Sequence, residues 1–131
     1  MLFLCTHNAG RSQMAAAFVR HLAGDRVDVW SGGSDPADEV NPVAAEVMRE
    51  VGIEMGDRRP RRWSDDAVRR ADIVVTMGCG DACPVYPGKR YVDWDLADPA
   101  GRPIDEVRVI RDEIERRVRA LLEALGVDPA D

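Results

Sequence analysis

The stretch MLFLCTHNAGRS, residues 1–12, decides the fold class that the sequence predicts. Its first four residues are apolar and lead to Cys5, a pattern typical of a short buried strand. The small and polar residues 6–10 predict a loop, and apolar side chains at helical spacing predict a helix over residues 11–23. A strand, a tight loop and a helix in direct succession indicate the beginning of a parallel α/β sheet.

The remainder of the chain continues this alternation. Strands are predicted at residues 27–30, 73–77 and 90–92. Helices are predicted at residues 42–51, from 64 or 65 to about 70, and from 103 or 104 to 125. Asn41 is a suitable N-cap for the second helix, and residues 31–36 are predicted to form a loop. The sequence therefore predicts a single-domain, three-layer α/β fold over residues 1–131, with a small, mainly parallel four-stranded sheet flanked by helices.

Composition and charge narrow the classes of protein that fit. The chain has 131 residues, of which 45% are hydrophobic, enough for one packed core. No apolar run has the length of a membrane span, and the first residues lack the basic segment of a signal peptide, so we expect a cytoplasmic protein that does not bind membranes. The net charge of −6 argues against binding to nucleic acid, which requires a basic surface.

The loop after the first strand has the features of an oxyanion site. A tight loop of small residues can turn its backbone N–H groups inward, and the N-terminus of the following helix adds partial positive charge. The guanidinium of Arg11 can hold two oxygens of a tetrahedral anion, and the same positive potential favours the thiolate form of Cys5. We therefore predict that Cys5 is a nucleophile and that the anion site consists of Thr6, His7, Asn8, Ala9, Gly10, Arg11 and Ser12. Alternatively, Cys5 is only a buried strand residue and Arg11 an exposed helix residue.

Two further cysteines, Cys79 and Cys83, follow the predicted third strand. An odd number of cysteines without a secretory signal argues against structural disulfides and favours catalytic, redox or metal-binding roles. Cysteines four residues apart on one helical turn share a face and can approach disulfide geometry. Together with Cys5 and His7 they have the ligand types of a zinc site, but their spacing is not that of a structural zinc motif, so no metal is expected.

These motifs occur in the order expected for one known family. The segment CTHNAGRSQMA, residues 5–15, is similar to the signature of arsenate reductases, and the chain resembles the superfamily of low-molecular-weight protein tyrosine phosphatases and arsenate reductases. Further matching motifs cover nearly the whole chain and lie at residues 31–33, 41–42, 51–53, 71–77, 83–84, 94 and 98–101. The resemblance implies the fold of low-molecular-weight phosphatases, in agreement with the predicted α/β domain.

The resemblance also implies a thioredoxin-coupled reduction of arsenate. Asp98, which precedes Pro99, matches the general acid of the family. By this resemblance Cys5 attacks arsenate, Cys79 attacks Cys5 to release arsenite, and Cys83 then forms a disulfide with Cys79 that thioredoxin reduces. The implied partners are arsenate, with phosphate as its analogue, and an external thiol reductant. No bound cofactor is implied.

Two departures from the family keep other interpretations open. The gap between Cys79 and Cys83 is narrower than in better-known thioredoxin-linked relatives, and Gly10 stands where many of them carry a second cysteine. A low-molecular-weight thiol with a glutaredoxin-like protein is therefore an alternative reductant. A phosphotyrosine or other phosphomonoester phosphatase is the alternative enzyme, although Ala100 and Gly101 stand where such enzymes commonly have an aromatic residue beside the acid. A non-catalytic oxyanion-binding protein is a third interpretation.

Several other residues are assigned supporting roles. Asn8 and Ser31 resemble residues that brace the loop by hydrogen bonds, and Ala16 stands where some relatives use a glutamate to bind potassium. Trp63 and Trp94 are predicted to lie in the core. A basic cluster is interpreted as a solvated loop, with anion steering or contact with a reductase as the alternatives; it consists of Arg58, Arg59, Arg61 and Arg62.

Overall fold

The computed structural model describes residues 1–55, 58–78 and 89–127, so that Cys79 and Cys83 lie outside the described residues. The strands are β1 (Leu2–Cys5), β2 (Trp30–Gly33), β3 (Ile73–Thr76) and β4 (Arg90–Asp93). The α-helices are α1 (Arg11–Ala23), α2 (Pro42–Arg49), α3 (Asp65–Arg70) and α4 (Ile104–Ala124), and a short 3-10 helix covers Gly24–Arg26. The predicted elements are confirmed in type and order, and only the second strand is clearly displaced.

The four strands form one sheet in the order β2-β1-β3-β4, and every ladder among the described residues is parallel. The chain passes from β1 to β2 on one side and then crosses to β3 on the other side. The carboxyl ends of β1 and β3 therefore flank the point where the connections diverge, which is where α/β sheets bind ligands. Because Cys5 is the last residue of β1, the fold places its thiol at this point.

Side chains alternate across the sheet and give it two apolar faces. Phe3 and Cys5 of β1 face a large core that contains side chains of α1, α2 and α4. Leu2 and Leu4 face a smaller core that contains Val68 of α3. The sheet therefore lies between two layers of helices, which confirms the predicted three-layer α/β fold.

The longest helix, α4, covers the larger core with an apolar stripe. Its buried apolar side chains recur every three or four residues and are those of Val107, Ile110, Ile114, Val118, Leu121 and Leu122. Leu125, which the sequence places at the end of this stripe, is the C-cap residue and is 37% exposed. Trp94 is buried in the larger core and Trp63 in the smaller one, as predicted. No helix in the described part of the chain is long and apolar enough to cross a membrane.

Strand β2 occupies residues 30–33, so the predicted strand at 27–30 and the predicted loop at 31–36 are both wrong in position. Its parallel register with β1 begins where Leu2 pairs with Trp30 and continues through two glycines. Glycine is depleted in strands in general, and for that reason the sequence pattern favoured a loop there.

The glycines of β2 are required by close packing of neighbouring backbone. A Cβ atom at Gly32 would lie 2.8 Å from the backbone of Trp63, and one at Gly33 would lie 2.6 Å from the carbonyl oxygen of Thr6. Real Cβ contacts are not this short, so a side chain at either position would displace backbone atoms. A glycine inside a strand commonly marks such an approach.

We predict that Gly32→Ala destabilises the protein by about 1–3 kcal/mol, the usual cost of overpacking. The clash is with backbone of Trp63, which cannot move away by a change of rotamer. Urea denaturation would measure the loss. The neighbouring substitution Ser31→Ala is the control and should change stability by less than about 0.5 kcal/mol. Equal stabilities of the two variants would contradict the packing argument.

Helix α2 is joined to α4 by a carboxylate that two arginines share. Glu50, which follows α2, lies 2.7 Å from Nη2 of Arg108 and 2.8 Å from Nη1 of Arg111. Arg111 is largely buried and its Nη1 also donates to the carbonyl oxygen of Val47 at 2.9 Å. Hydrogen bonds from Arg108, together with one from Arg111, outweigh the opposing effect of burial and lower the pKa of Glu50 from its ordinary value of 4.5 to about 2. The carboxylate therefore stabilises the fold in its charged form.

The sign of this shift predicts how stability depends on pH. Because the pKa of Glu50 is depressed in the folded protein, its contribution is fully present above about pH 4.5 and is lost as the pH falls towards 2. We expect Glu50→Gln to lower the melting temperature at pH 7 and to differ little from the wild type near pH 2. Glu46→Gln removes a 61% exposed carboxylate from the same helix and should show a much smaller change. A deficit in Glu50→Gln that persisted unchanged to pH 2 would contradict the assignment.

Candidate active site

The loop between β1 and α1 turns its carbonyl groups away from the Cys5 thiol. The oxygens of Thr6, His7 and Ala9 accept hydrogen bonds of 2.8–3.0 Å from backbone N–H groups of residues 35, 37 and 41. Since C=O and N–H of one peptide unit point in opposite directions, the N–H groups that follow these carbonyls point inward. The N–H of Asn8 shows this directly, because it donates to Sγ of Cys5 at 3.3 Å. The loop backbone thus has the form of an anion-binding nest.

The sulfur of Cys5 is buried and receives polar contacts. Cys5 is 2% exposed, and its Sγ lies 2.8 Å from Oγ of Ser12. Nδ2 of Asn8 donates to the same Ser12 oxygen at 2.7 Å, which leaves the hydroxyl proton of Ser12 to point at the sulfur. The Ser12 hydroxyl therefore faces the sulfur that the sequence predicts to be the nucleophile.

Gln13 fixes the orientation of Asn8, a role that was not predicted. Gln13 is 3% exposed, and its Nε2 donates to Oδ1 of Asn8 and to the carbonyl oxygen of Arg59, both at 3.2 Å. The backbone N–H of Arg61 donates to the same Asn8 oxygen at 3.0 Å. With Oδ1 held by two donors, the amide of Asn8 must present Nδ2 to Ser12. The sequence does not predict that Gln13 is buried, because a polar residue in the first turn of a helix is usually exposed.

We predict that Gln13→Leu slows alkylation of Cys5 by iodoacetamide at pH 7 by roughly two- to tenfold, the effect of losing about one net hydrogen bond. Peptide mass spectrometry would follow the Cys5 adduct.

A double substitution would separate this effect from general damage. A combination with Asn8→Ala should add little, because both substitutions act through Ser12. Fully additive slowing would mean that Gln13 supports only the fold.

Arg11 and Asp98 meet above the loop. Arg11 is 7% exposed, and its Nη2 lies 3.6 Å from Oδ2 of Asp98, whose side chain is 44% exposed. Nη1 of Arg11 donates to the carbonyl oxygen of Leu96 at 3.4 Å. Gly78 leaves room for this guanidinium, since a Cβ atom there would lie 2.4 Å from Nη1. The arrangement puts a cation and a solvent-accessible carboxyl group beside the same thiol.

The cavity over Cys5 is small and has no aromatic side chain among its described lining residues. It has a volume of about 30 Å³ and is lined by Cys5, His7, Ala9, Gly10, Arg11, Asn41, Asp98, Pro99 and Ala100. Pro99 closes it against Gly10, where a Cβ atom would lie 2.5 Å from Cγ of the proline. The space enclosed by the described residues is of the order of a small polyatomic anion.

The other residues singled out from the sequence lie at the edges of this cavity or away from it. Oγ1 of Thr6 donates to the carbonyl oxygen of Gly78 at 3.2 Å, and Nδ1 of His7 lies 3.0 Å from the carbonyl oxygen of Asp35. Asn41 caps α2 as predicted and also lines the cavity, which was not predicted. Among the described residues, no hydrogen bond joins the Ser31 side chain to the loop, contrary to the bracing role expected for it.

A known family shares this arrangement. Residues 1–130 match the family model described as low molecular weight phosphotyrosine protein phosphatase. The chain belongs to this family. The low-molecular-weight phosphatase fold implied by the sequence is thereby confirmed.

Named relatives of this phosphatase family member include arsenate reductases. Arsenate reductase 1 of Bacillus cereus is 40% identical over 125 residues, which cover 92% of this chain and 92% of the relative. The solved structure of a thioredoxin-dependent arsenate reductase from Corynebacterium glutamicum is 46% identical with a TM-score of 0.83. The match covers 95% of this chain but only 60% of that structure. The YwlE arginine phosphatase is 26% identical with a TM-score of 0.82, and the match covers 95% of this chain and 94% of that one.

Proposed function

We propose that this chain reduces arsenate to arsenite through the thiol of Cys5, with a thioredoxin-type dithiol as the electron donor. The observation that carries the proposal is the small cavity in which Cys5, Arg11 and Asp98 converge without an aromatic side chain among the described residues that line it. The identity of about 40% to a protein named arsenate reductase supports the same substrate. The anion is held by backbone N–H groups of residues 6–12 and by Arg11.

The first step forms a bond between sulfur and arsenic. The thiolate of Cys5 attacks the arsenic atom, one arsenic–oxygen bond breaks, and a proton from Asp98 lets that oxygen leave as water. Arg11 and the inward N–H groups stabilise the negative charge on the remaining oxygens. Arsenic is not yet reduced at this stage. Asp98 fits the position of the acid because it lines the cavity over Cys5 and is accessible to solvent.

The second stage transfers two electrons to arsenic. The thiolate of Cys79 attacks Sγ of Cys5, a disulfide forms, and the sulfur–arsenic electron pair leaves with arsenic as arsenite. Cys83 then attacks Cys79, which frees Cys5, and the dithiol of thioredoxin reduces the resulting Cys79–Cys83 disulfide. Gly78, the last described residue before this pair, lies against Thr6 and Arg11, which supports delivery of the pair to the loop.

This scheme requires no bound cofactor, because both electrons come from an external dithiol. Three free thiols must remain reduced between turnovers, and that requirement suits the cytoplasm. We accordingly propose a cytoplasmic enzyme whose partners are arsenate, phosphate as a competing analogue, and a thioredoxin or glutaredoxin-like protein.

Phosphomonoester hydrolysis is the second candidate. The family is described by this activity, and the same thiol, arginine and carboxyl group could form and hydrolyse a phosphocysteine intermediate. Phosphate is not reduced by thiols, so Cys79 and Cys83 would have no role in it. The lining by Pro99 and Ala100 offers no ring on which an aromatic ester could stack, which favours the inorganic substrate.

We predict arsenate-dependent oxidation of NADPH when the protein is coupled to thioredoxin and thioredoxin reductase. Cys5→Ser should abolish it, and Asp98→Asn should lower kcat by about 10²–10⁴-fold, as expected for loss of a general acid. Asp95→Asn is the matched control, because Asp95 is a nearby acid outside the cavity lining, and it should retain activity. The Cys83→Ser variant should release about one arsenite per enzyme molecule and then become inactive. Without Cys83, the disulfide between Cys5 and Cys79 would not be opened, and Cys5 would not be regenerated.

A parallel assay with p-nitrophenyl phosphate distinguishes the alternatives. Rapid ester hydrolysis without arsenate-dependent NADPH oxidation would overturn the proposal in favour of the phosphatase. Full thioredoxin-linked turnover by Cys83→Ser would exclude the relay through Cys79 and Cys83. Turnover only with a low-molecular-weight thiol and a glutaredoxin would show that these, and not thioredoxin, are the reductant.

A further inference from the structure

A second cavity, here called the arginine cavity, lies beside β2 and is lined by five arginines. It has a volume of about 390 Å³, and its basic residues are Arg20 of α1 with Arg58, Arg59, Arg61 and Arg62. No aspartate or glutamate is among the described residues that line it. The cavity shares no lining residue with the cavity over Cys5, so the two are separate.

The positive charge of the arginine cavity is not neutralised by the described residues. Within residues 1–55, 58–78 and 89–127, none of the five guanidinium groups forms an ion pair with a carboxylate. Arg62 instead donates to the carbonyl oxygen of Ser34 and stacks on Trp63, with Cζ 5.0 Å from the ring centroid. The whole chain has a net charge of −6 and these arginines contribute +5, so the remainder carries −11. The arginine cavity is therefore strongly positive, although the chain as a whole is acidic.

The pKa of Arg20 shows that the positive charges around the arginine cavity repel one another. Burial lowers the pKa of Arg20 below its ordinary value, and the charges of Arg58 and Arg61 lower it further. Neighbouring positive charges in a partly buried site destabilise one another unless an anion lies between them.

The backbone that carries these arginines is anchored, although the side chains of residues 58, 59, 61 and 62 are exposed, as expected for a solvated loop. The N–H of Gly33 donates to the carbonyl oxygen of Arg61 at 2.9 Å, and the N–H of Arg61 donates to Asn8 at 3.0 Å. Nε2 of buried Gln13 holds the carbonyl oxygen of Arg59. Because the backbone is fixed on both sides, the starting points of these side chains are fixed, and less backbone entropy is lost when the guanidinium groups close on a ligand.

The size and charge of the cavity select a class of ligand. A volume of this order falls in the range of small-molecule sites. One phosphate group carries about −1.5 to −2 at neutral pH, so two phosphate groups are needed to offset most of the five positive charges. Arginine binds phosphate oxygens in pairs, and Trp30 and Trp63 add apolar surface at the base of the site.

We infer that the arginine cavity is a second anion site, which binds a small molecule carrying two phosphoryl groups. The site is independent of the reaction at Cys5. It also assigns to the basic cluster of residues 58–62 a function that the sequence alone leaves open, with Arg20 as an additional member.

Calorimetric titration with inorganic pyrophosphate tests the site. The protein is first alkylated at Cys5 with iodoacetamide, which fills the catalytic cavity, so that any remaining binding occurs elsewhere. We expect one pyrophosphate per chain, bound at least about tenfold more tightly than orthophosphate. Arg20→Gln and Arg61→Gln should each weaken it by about tenfold or more, the usual scale for losing a charge-assisted contact.

Arg90→Gln is the matched control, because Arg90 is an exposed arginine of β4 and does not line the cavity. It should leave the affinity for pyrophosphate unchanged. Equal affinities in all variants, loss of binding on alkylation of Cys5, or equal binding of orthophosphate and pyrophosphate would each overturn the inference.

Thermal melting gives an independent readout with a defined sign. Without pyrophosphate, Arg20→Gln should raise the melting temperature, because it removes a partly buried charge from among like charges. With saturating pyrophosphate, the wild type should melt above the variant, because it gains the binding free energy. A wild-type melting temperature that did not respond to pyrophosphate would refute the site.

Discussion

The orientation of the peptide units between Cys5 and Arg11 is the constraint on which the site depends. Three carbonyl groups of this loop are held from outside by residues 35–41, so the intervening N–H groups turn towards the sulfur. These hydrogen bonds hold residues 35–41, which follow β2, against the loop, and α1 begins directly after the loop at Arg11. Since these positive charges are backbone dipoles, their potential is local, and a chain of net charge −6 can still bind an anion.

Contacts between distant parts of the chain turn this loop into a bounded site. Pro99 lies on Gly10, and Asp98 lies beside Arg11, so the described residues enclose a small cavity over Cys5. The segment at residues 58–62 is shared between two sites. Its backbone holds Gln13 and Asn8 in place beneath the thiol, while its arginine side chains line the second cavity. The same segment thereby belongs to both proposed anion sites.

The elements that could be predicted are those whose burial follows a regular period. Helix α4 shows an apolar stripe and β3 an unbroken apolar run, so both were placed correctly. Strand β2 was misplaced because its glycines are selected by the backbone of Trp63 and Thr6, and no periodicity reports such contacts. Gln13 and Arg20 were passed over for the same reason, since their partners lie some forty residues away along the chain.

The sequence by itself determined that a cysteine, a short loop and an arginine connect a buried strand to a helix, because those residues are adjacent and their geometry is local. It also determined the α/β class through its alternating patterns. Only the tertiary structure decided the size of the cavity, the hydrogen-bonded chain from Arg59 through Gln13 and Asn8 to Ser12, and the gathering of five arginines. These features depend on which distant backbones approach one another, and that is settled by packing across the sheet rather than by neighbours in the chain.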